Sequence, residues 1–201
     1  FNDIMLKYME DYDFITSLRV EPNVYPDSVD KIQEEFGRTK DEFNEHKFLE
    51  WLSNNEIENK GRVEQRMFFP WMCTKSLYQE IGGNDTLFLK YMIEDDDFYL
   101  RVKMSGAKYT QVFETAVYHI PSRSTKYKGD IVNEQGSDDW NYQYAKSAKN
   151  FFRKWGVGAH KVWDDITRDM VIPNKYDIGL VIKNCNQELL KALELLCSNI
   201  Y

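Results

Sequence analysis

Met92-Ile93-Glu94-Asp95-Asp96-Asp97-Phe98-Tyr99-Leu100-Arg101 is the stretch on which the fold of this chain turns. Four consecutive carboxylates follow an apolar pair and run into an aromatic, helix-compatible segment that Gly106 closes. Surface acidic runs usually sit among Lys, Ser and Gly, whereas these flanks have the composition of a core. Burying such a cluster is costly unless cations or polar groups are brought to it. Carboxylates in a first helical turn are stabilised by the helix dipole, and Asp97 and Arg101 stand at the spacing that pairs along a helix. Crowded carboxylates also raise the pKa of one of their number, as a general base requires. The residues by themselves leave both readings open.

The chain around this helix has material for a substantial core. Of 201 residues, 42% are hydrophobic and 15% aromatic, enough for one good-sized domain with or without a small appendage. A net charge of −7 argues against a nucleic-acid partner, which calls for a basic face. No apolar run reaches the length of a membrane span and no basic-then-apolar leader is visible, so no transmembrane segment is expected. Cys73, Cys185 and Cys197 are odd in number and lack metal-site spacing, which points to a reducing, cytoplasmic setting.

Working outward, the acidic helix is expected over about 94–104, and Lys108 to Ile120 alternates as one or two strands. Thr74 to Gln79 reads as a short helix stopped by Gly82-Gly83. Nearer the start, Asn2 is placed to cap a short amphipathic helix, and Asp13 to Val20 is a β-rich strand broken by Glu21-Pro22-Asn23. Ser28 is placed to cap a helix through Phe36. Thr39 and Glu42 form a capping box for a helix carrying Phe43, Phe48, Trp51 and Leu52. Ser53 to Arg62 reads as a loop and Arg66 to Phe69 as a strand ended by Pro70. Downstream, Pro121 to Gly136 lacks periodicity and reads as a mobile loop. Ser137 is placed to cap a helix through Trp155, followed by a helical stretch around His160 to Arg168. Ile178 to Ile182 is a buried-type strand leading into a helix over 187–196. The class is α/β, with a first domain over 1–157 and an extension over 158–201.

Two further places carry possible chemistry. Asp11-Tyr12-Asp13 is formally a D-x-D pair, but it precedes its strand, whereas ligands in open α/β sheets bind at strand carboxyl ends. It is read as structural. His119 closes a strand just before the mobile loop, where sites are often carried. Arg123, Lys126 and Lys128 in that loop are suited to a phosphate, although a solvated basic loop explains them equally well.

Taken in order, Phe69-Pro70-Trp71 through Ile81-Gly82-Gly83, Glu94-Asp95-Asp96-Asp97-Phe98-Tyr99-Leu100-Arg101, His119 and Phe151-Phe152-Arg153-Lys154-Trp155-Gly156 resemble a family 2 glycosyltransferase with a GT-A fold. The resemblance implies a GT-A-like mixed sheet flanked by helices. It makes Asp95 the catalytic base, which deprotonates an acceptor hydroxyl for inverting attack on a nucleotide-activated sugar. Glu94, Asp97, Trp71, Gly82 and Gly83 would serve the acceptor side, and Arg123, Lys126 and Lys128 the donor phosphates. His119 would help hold a divalent metal (Mn2+ or Mg2+) or the diphosphate. The partners implied are a nucleotide-sugar donor and a carbohydrate or other hydroxyl acceptor. The segment before Lys40 holds no strand followed by D-x-D, so the resemblance covers the acceptor side and the nucleotide-binding half is expected to be incomplete. The alternative is a non-catalytic carbohydrate-binding or interaction domain that lacks the donor site.

Overall fold

The computed structural model describes residues 1–24, 31–88, 92–121, 138–159, 176–194 and 197–200. Its contacts divide the chain into two compact units, Phe1–Gly83 with Ser105–Asn133, and Asn84–Met104 with Glu134–Tyr201.

The first unit is assembled on strand β1 (Phe14–Glu21), buried along nearly its whole length. Burial on both faces is what a central strand meets when helices cover the sheet. On one edge β1 pairs in parallel with β5 (Tyr109–Tyr118). It also pairs in parallel with β2 (Lys31–Gln33) and antiparallel with β4 (Trp71–Cys73). Strand β3 (Val63–Glu64) joins β5 antiparallel, giving the order β2-β1-β5-β3 in a mixed sheet.

Successive strand residues face opposite sides, so β1 serves two cores. Ile15 meets Val112 and Met5 of helix α1 (Asn2–Tyr8). Leu18 and Val20 meet Phe36, Phe113 and Phe48 of helix α2 (Glu45–Glu58) on the other side. Each such buried side chain contributes about 1.5–3 kcal/mol relative to exposure. The register between β1 and β5 jumps from Ser17 opposite Val112 to Leu18 opposite Ala116. Within that bulge Glu114 accepts hydrogen bonds from Tyr8 Oη at 2.7 Å and from Gly61 N at 3.1 Å.

In the second unit a 3-10 turn (Thr86–Phe88) and helices α4 (Glu94–Ser105) and α5 (Asp138–Trp155) pack through Phe88, Ile93, Leu100, Phe151 and Trp155. Strand β6 (Tyr176–Leu180), helix α6 (Gln187–Glu194) and strand β7 (Cys197–Ile200) follow, with β6 and β7 paired in parallel. The chain is therefore a mixed α/β fold with a mixed sheet flanked by helices. No helix among the described residues is long and apolar enough to cross a membrane.

Helix α3 (Lys75–Glu80) begins where expected, with Thr74 Oγ1 accepting from Leu77 N at 3.2 Å, and both Gly82 and Gly83 take positive φ. Several local expectations need correction. Helix α1 starts at Asn2 itself, with no side-chain cap. Lys31–Gln33, expected in a helix, forms β2, because its backbone completes the edge of β1. The Thr39 and Glu42 pair closes a turn, Glu42 N donating to Thr39 and Arg38 N to Glu42. Helix α2 starts later, at Glu45, where Asn44 accepts from Lys47 N. It also runs through most of the expected loop, and buried Asn55 donates to the Phe113 carbonyl at 2.8 Å. The strand expected over 66–69 is instead β3 at Val63–Glu64, where Val112 and Gln111 offer backbone partners. The proposed caps Ser28 and Ser137, the loop beyond Pro121 and the stretch around His160 to Arg168 lie outside the described residues.

Candidate functional site

Helix α4 begins at Glu94, so all four carboxylates occupy its first turn, where unsatisfied N–H groups and the helix dipole favour negative charge. The four then part company. Asp97 is fully buried and accepts from Arg101 Nε at 2.9 Å, Lys154 Nζ at 2.6 Å and Trp155 Nε1 at 2.8 Å. Arg101 Nη2 adds a contact at 2.8 Å. Lys154 bridges onward to Asp85 at 2.7 Å, whose own side chain accepts from Leu87 N. Burial would raise the Asp85 pKa, but the Lys154 hydrogen bond and Leu87 N hold it below the ordinary carboxylate range. Asp97 thus ties α4 to the end of α5.

Asp96 is buried, while Glu94 and Asp95 are exposed. Glu94 is exposed as a residue, yet protein atoms packed around its carboxyl raise its pKa; the backbone N–H groups of Glu94 and Met92 pull the other way. Glu94, one position before Asp95, thus carries a raised carboxyl, and burial rather than crowding is the cause.

The turn that leads into the helix is strained. Met92 and Ile93 have φ of 80° and 71°. For Ile, with a branched Cβ, this is a genuine outlier costing on the order of 1–3 kcal/mol. Burial of Ile93 among Leu100, Phe151 and Trp155 offsets the strain, and its carbonyl accepts the helix's Asp97 N–H. The backbone at Glu94 and Asp95 is thereby set by packing on one side and by the Asp97 network on the other.

In the first unit a second polar cluster lies at the carboxyl ends of β1 and β5. Glu21, the last residue of β1, is 3% exposed. Its carboxylate meets His119 Nδ1 at 2.6 Å, Lys31 Nζ at 3.0 Å and Arg19 Nε at 3.1 Å. Burial alone would raise its pKa; the His119 hydrogen bond, Arg19 and Lys31 together hold it below the ordinary value. His119 N donates to the Val20 carbonyl at 2.8 Å, so ring and backbone of His119 are both anchored on β1. The sequence reading takes Glu21-Pro22-Asn23 as a turn and passes over Glu21. The available signal is an acid closing a β-rich run, directly before a proline.

Trp71 of β4 stacks on Tyr78 of α3, with ring centroids 6.4 Å apart. A side chain at Gly83 would press on the Tyr78 ring at 3.0 Å, which accounts for glycine there. Trp71, Tyr78 and Gly83 thus gather in one place, beside the Gly82 stop. Asp13 accepts from Lys108 N at 2.9 Å, tying the entry of β1 to that of β5, which is the structural role expected for it. Arg123, Lys126 and Lys128 lie outside the described residues. A cavity of about 380 Å³ lined by Tyr12, Val63, Glu64 and Lys108 sits at the opposite end of the parallel strands from Glu21 and contains none of the expected site residues.

Among the described residues no three His, Cys, Asp or Glu side chains come together as a metal site. The His119 ring nitrogen nearest a carboxylate is engaged by Glu21, which is itself flanked by two cations. With both oxygens engaged by cations and the imidazole, Glu21 does not fit as a ligand to a divalent metal. No protein-family model, curated protein or solved structure matches the chain.

Proposed function

We propose that the chain is a glycosyltransferase, or the acceptor-side portion of one, with a GT-A-like sheet, that moves a sugar from a nucleotide-activated donor to an acceptor hydroxyl with inversion. One observation carries the reading. The E-D-x-D-containing segment supplies Asp97 and Arg101, the K-W-G segment supplies Lys154 and Trp155, and all four share one hydrogen-bonded network. Motifs that resemble the same family in sequence thus converge on a single carboxylate. That carboxylate holds α4, in whose first turn Asp95 is exposed.

In this mechanism Asp95 takes the proton of the acceptor hydroxyl. The oxygen attacks the anomeric carbon, and the nucleoside diphosphate leaves from the opposite face with the bonding electron pair. Glu94, next to Asp95, orients the acceptor, and Asp97 keeps the turn in place. No step is routed through a metal.

The test incubates the full chain with a panel of nucleotide sugars and hydroxyl acceptors and reads nucleoside diphosphate release. Transfer is expected for at least one pair, and Asp95→Asn should lower it roughly 10²–10⁴-fold, the range for loss of a general base, with an unchanged melting temperature. Full transfer by Asp95→Asn would overturn the base assignment. Glycan binding with no donor consumed would favour a non-catalytic carbohydrate-binding domain instead.

A further inference from the structure

We infer that the cavity at the amino ends of β1 and β5 is a sugar-binding site, with Tyr12 as its apolar wall and Gln65 and Lys108 as its hydrogen-bonding groups. Its origin lies in the sheet. Strand β3 pairs with β5 only through Val63 and Glu64, opposite Val112 and Gln111. The Glu64 carbonyl then accepts from Thr110 Oγ1 at 3.0 Å and from Arg66 N at 2.8 Å, and the latter bond closes a tight turn that carries the chain off the β5 edge. The space left beside Gln65, Ala107 and Lys108 has a volume of about 380 Å³. Small-molecule sites span about 300–1,000 Å³, so this one suits a single ring rather than a chain.

The apolar side of the cavity is firmly held. Tyr12 and Val63 line it, and both also pack against the core of Met5, Ile15 and Val112. A tyrosine ring has a negative face that attracts weakly positive C–H groups, and its hydroxyl both donates and accepts.

Charge argues against an ionic ligand. Glu64 Oε1 is taken by Arg62 Nη2 and Oε2 by Arg66 Nη2, each at 2.6 Å, so this carboxylate is already neutralised and has little to offer a cation. Lys108 is a single exposed ammonium, and one exposed charge contributes little to holding an anion. What remains is hydrogen bonding. Among the described residues the side chains of Gln65 and Lys108 and the hydroxyl of Tyr12 have no hydrogen-bond partner. Together they supply both donors and acceptors. Gln65 and Lys108 are also exposed, so a ligand here keeps part of its surface wet. A flat aromatic ring gains most from full burial, whereas a pyranose has a C–H face for Tyr12 and hydroxyls for the wet side. The site uses no residue of the acidic helix and does not rest on the transfer reading.

The experiment titrates glucose, N-acetylglucosamine and glucuronate separately into the isotope-labelled full chain. It follows the side-chain amide of Gln65, assigned through its own backbone resonances. The expected result is a saturable shift with at least one sugar, its affinity lowered about tenfold or more by Lys108→Ala, the effect of losing one hydrogen bond to a charged group. Adenosine and inorganic phosphate are titrated in parallel. A larger shift with adenosine assigns the cavity to flat rings and a larger one with phosphate assigns it to anions; either overturns the inference. Absence of a shift with all three sugars also overturns it, and this wild-type measurement needs no variant to fold. A sugar shift that Lys108→Ala leaves unchanged places the sugar elsewhere and overturns it too. Nucleoside diphosphate release and its loss in Asp95→Asn are read separately, so the two conclusions fail independently.

Discussion

Replacing Asp97 by alanine tests whether the acidic helix is held by one carboxylate while Glu94 and Asp95 stay exposed. Truncating one partner of a buried ion pair costs about 3–5 kcal/mol, because the remaining charge is left without compensation. Two features place Asp97→Ala near the lower end. The Arg101 and Lys154 side chains are 12% and 23% exposed and can recover some hydration, and Lys154 keeps Asp85 at 2.7 Å. The Trp155 N–H, however, loses its buried acceptor, a penalty on the order of 1–3 kcal/mol. A net loss of about 3 kcal/mol is expected. At about 2–4 °C per kcal/mol for a chain of this size, that is a fall in Tm of roughly 6–12 °C. Asp95→Asn, at an exposed position, should stay within about 0.5 kcal/mol. Urea unfolding followed by circular dichroism gives both values, provided the slope m is unchanged. A loss below about 1 kcal/mol for Asp97→Ala, or equal losses for the two variants, would refute the division between a holding and an offered carboxylate.

The remaining predictions concern the first unit. Glu21 has its pKa held below the ordinary carboxylate value, so the stability it contributes is present above that value and is lost as pH falls through the folded one. Below about pH 4.5 the Tm of the wild type should therefore fall more steeply than that of Glu21→Gln, and parallel curves would contradict the buried cluster. At neutral pH Glu21→Gln should cost about 3 kcal/mol in a denaturant titration, since Lys31 is left facing a neutral amide. Tyr8 is pushed up to about 12, by burial first and then by its hydrogen bond and proximity to Glu114. Its stabilising share is present below the ordinary tyrosine value and is lost as pH rises through the folded one. Tyr8→Phe should remove a step near pH 12 from a spectroscopic tyrosine titration and, by taking away the leading cause of the low Glu114 pKa, raise that carboxyl.

What the sequence made legible was local. The acidic helix, helix α3 and the Gly82-Gly83 stop rest on signals a few residues apart, and strand β1 shows in its own β-rich run although its partners are distant; periodicity, composition and glycine placement report these directly. Strand β2 is a different case. Lys31-Ile32-Gln33 has no strand signature of its own; it extends because Arg19–Glu21 offers an unpaired edge. Helix α2 outlasts its apolar pattern because Asn55 is anchored on Phe113, 58 residues away in sequence. A polar residue with a distant partner reads as loop until that partner is known.

The two polar clusters carry this distinction to the site. For the acidic run, physics supported both a capped helix start and a perturbed acid, and the structure assigns these properties to different residues. Asp97 is held by Arg101, Lys154 and Trp155, whereas the carboxyl of Glu94 is raised by burial. Spacing along a helix foretells Arg101 beside Asp97, but Lys154 and Trp155 arrive from another helix. Glu21 shows the opposite limit. Arg19 lies two residues before it on the same strand, but Lys31 and His119 come from β2 and the end of β5, and the parallel register brings them to the carboxylate. An acid at a strand's carboxyl end, paired in parallel with a strand that ends in histidine, therefore merits a site reading even without a second acid two residues away.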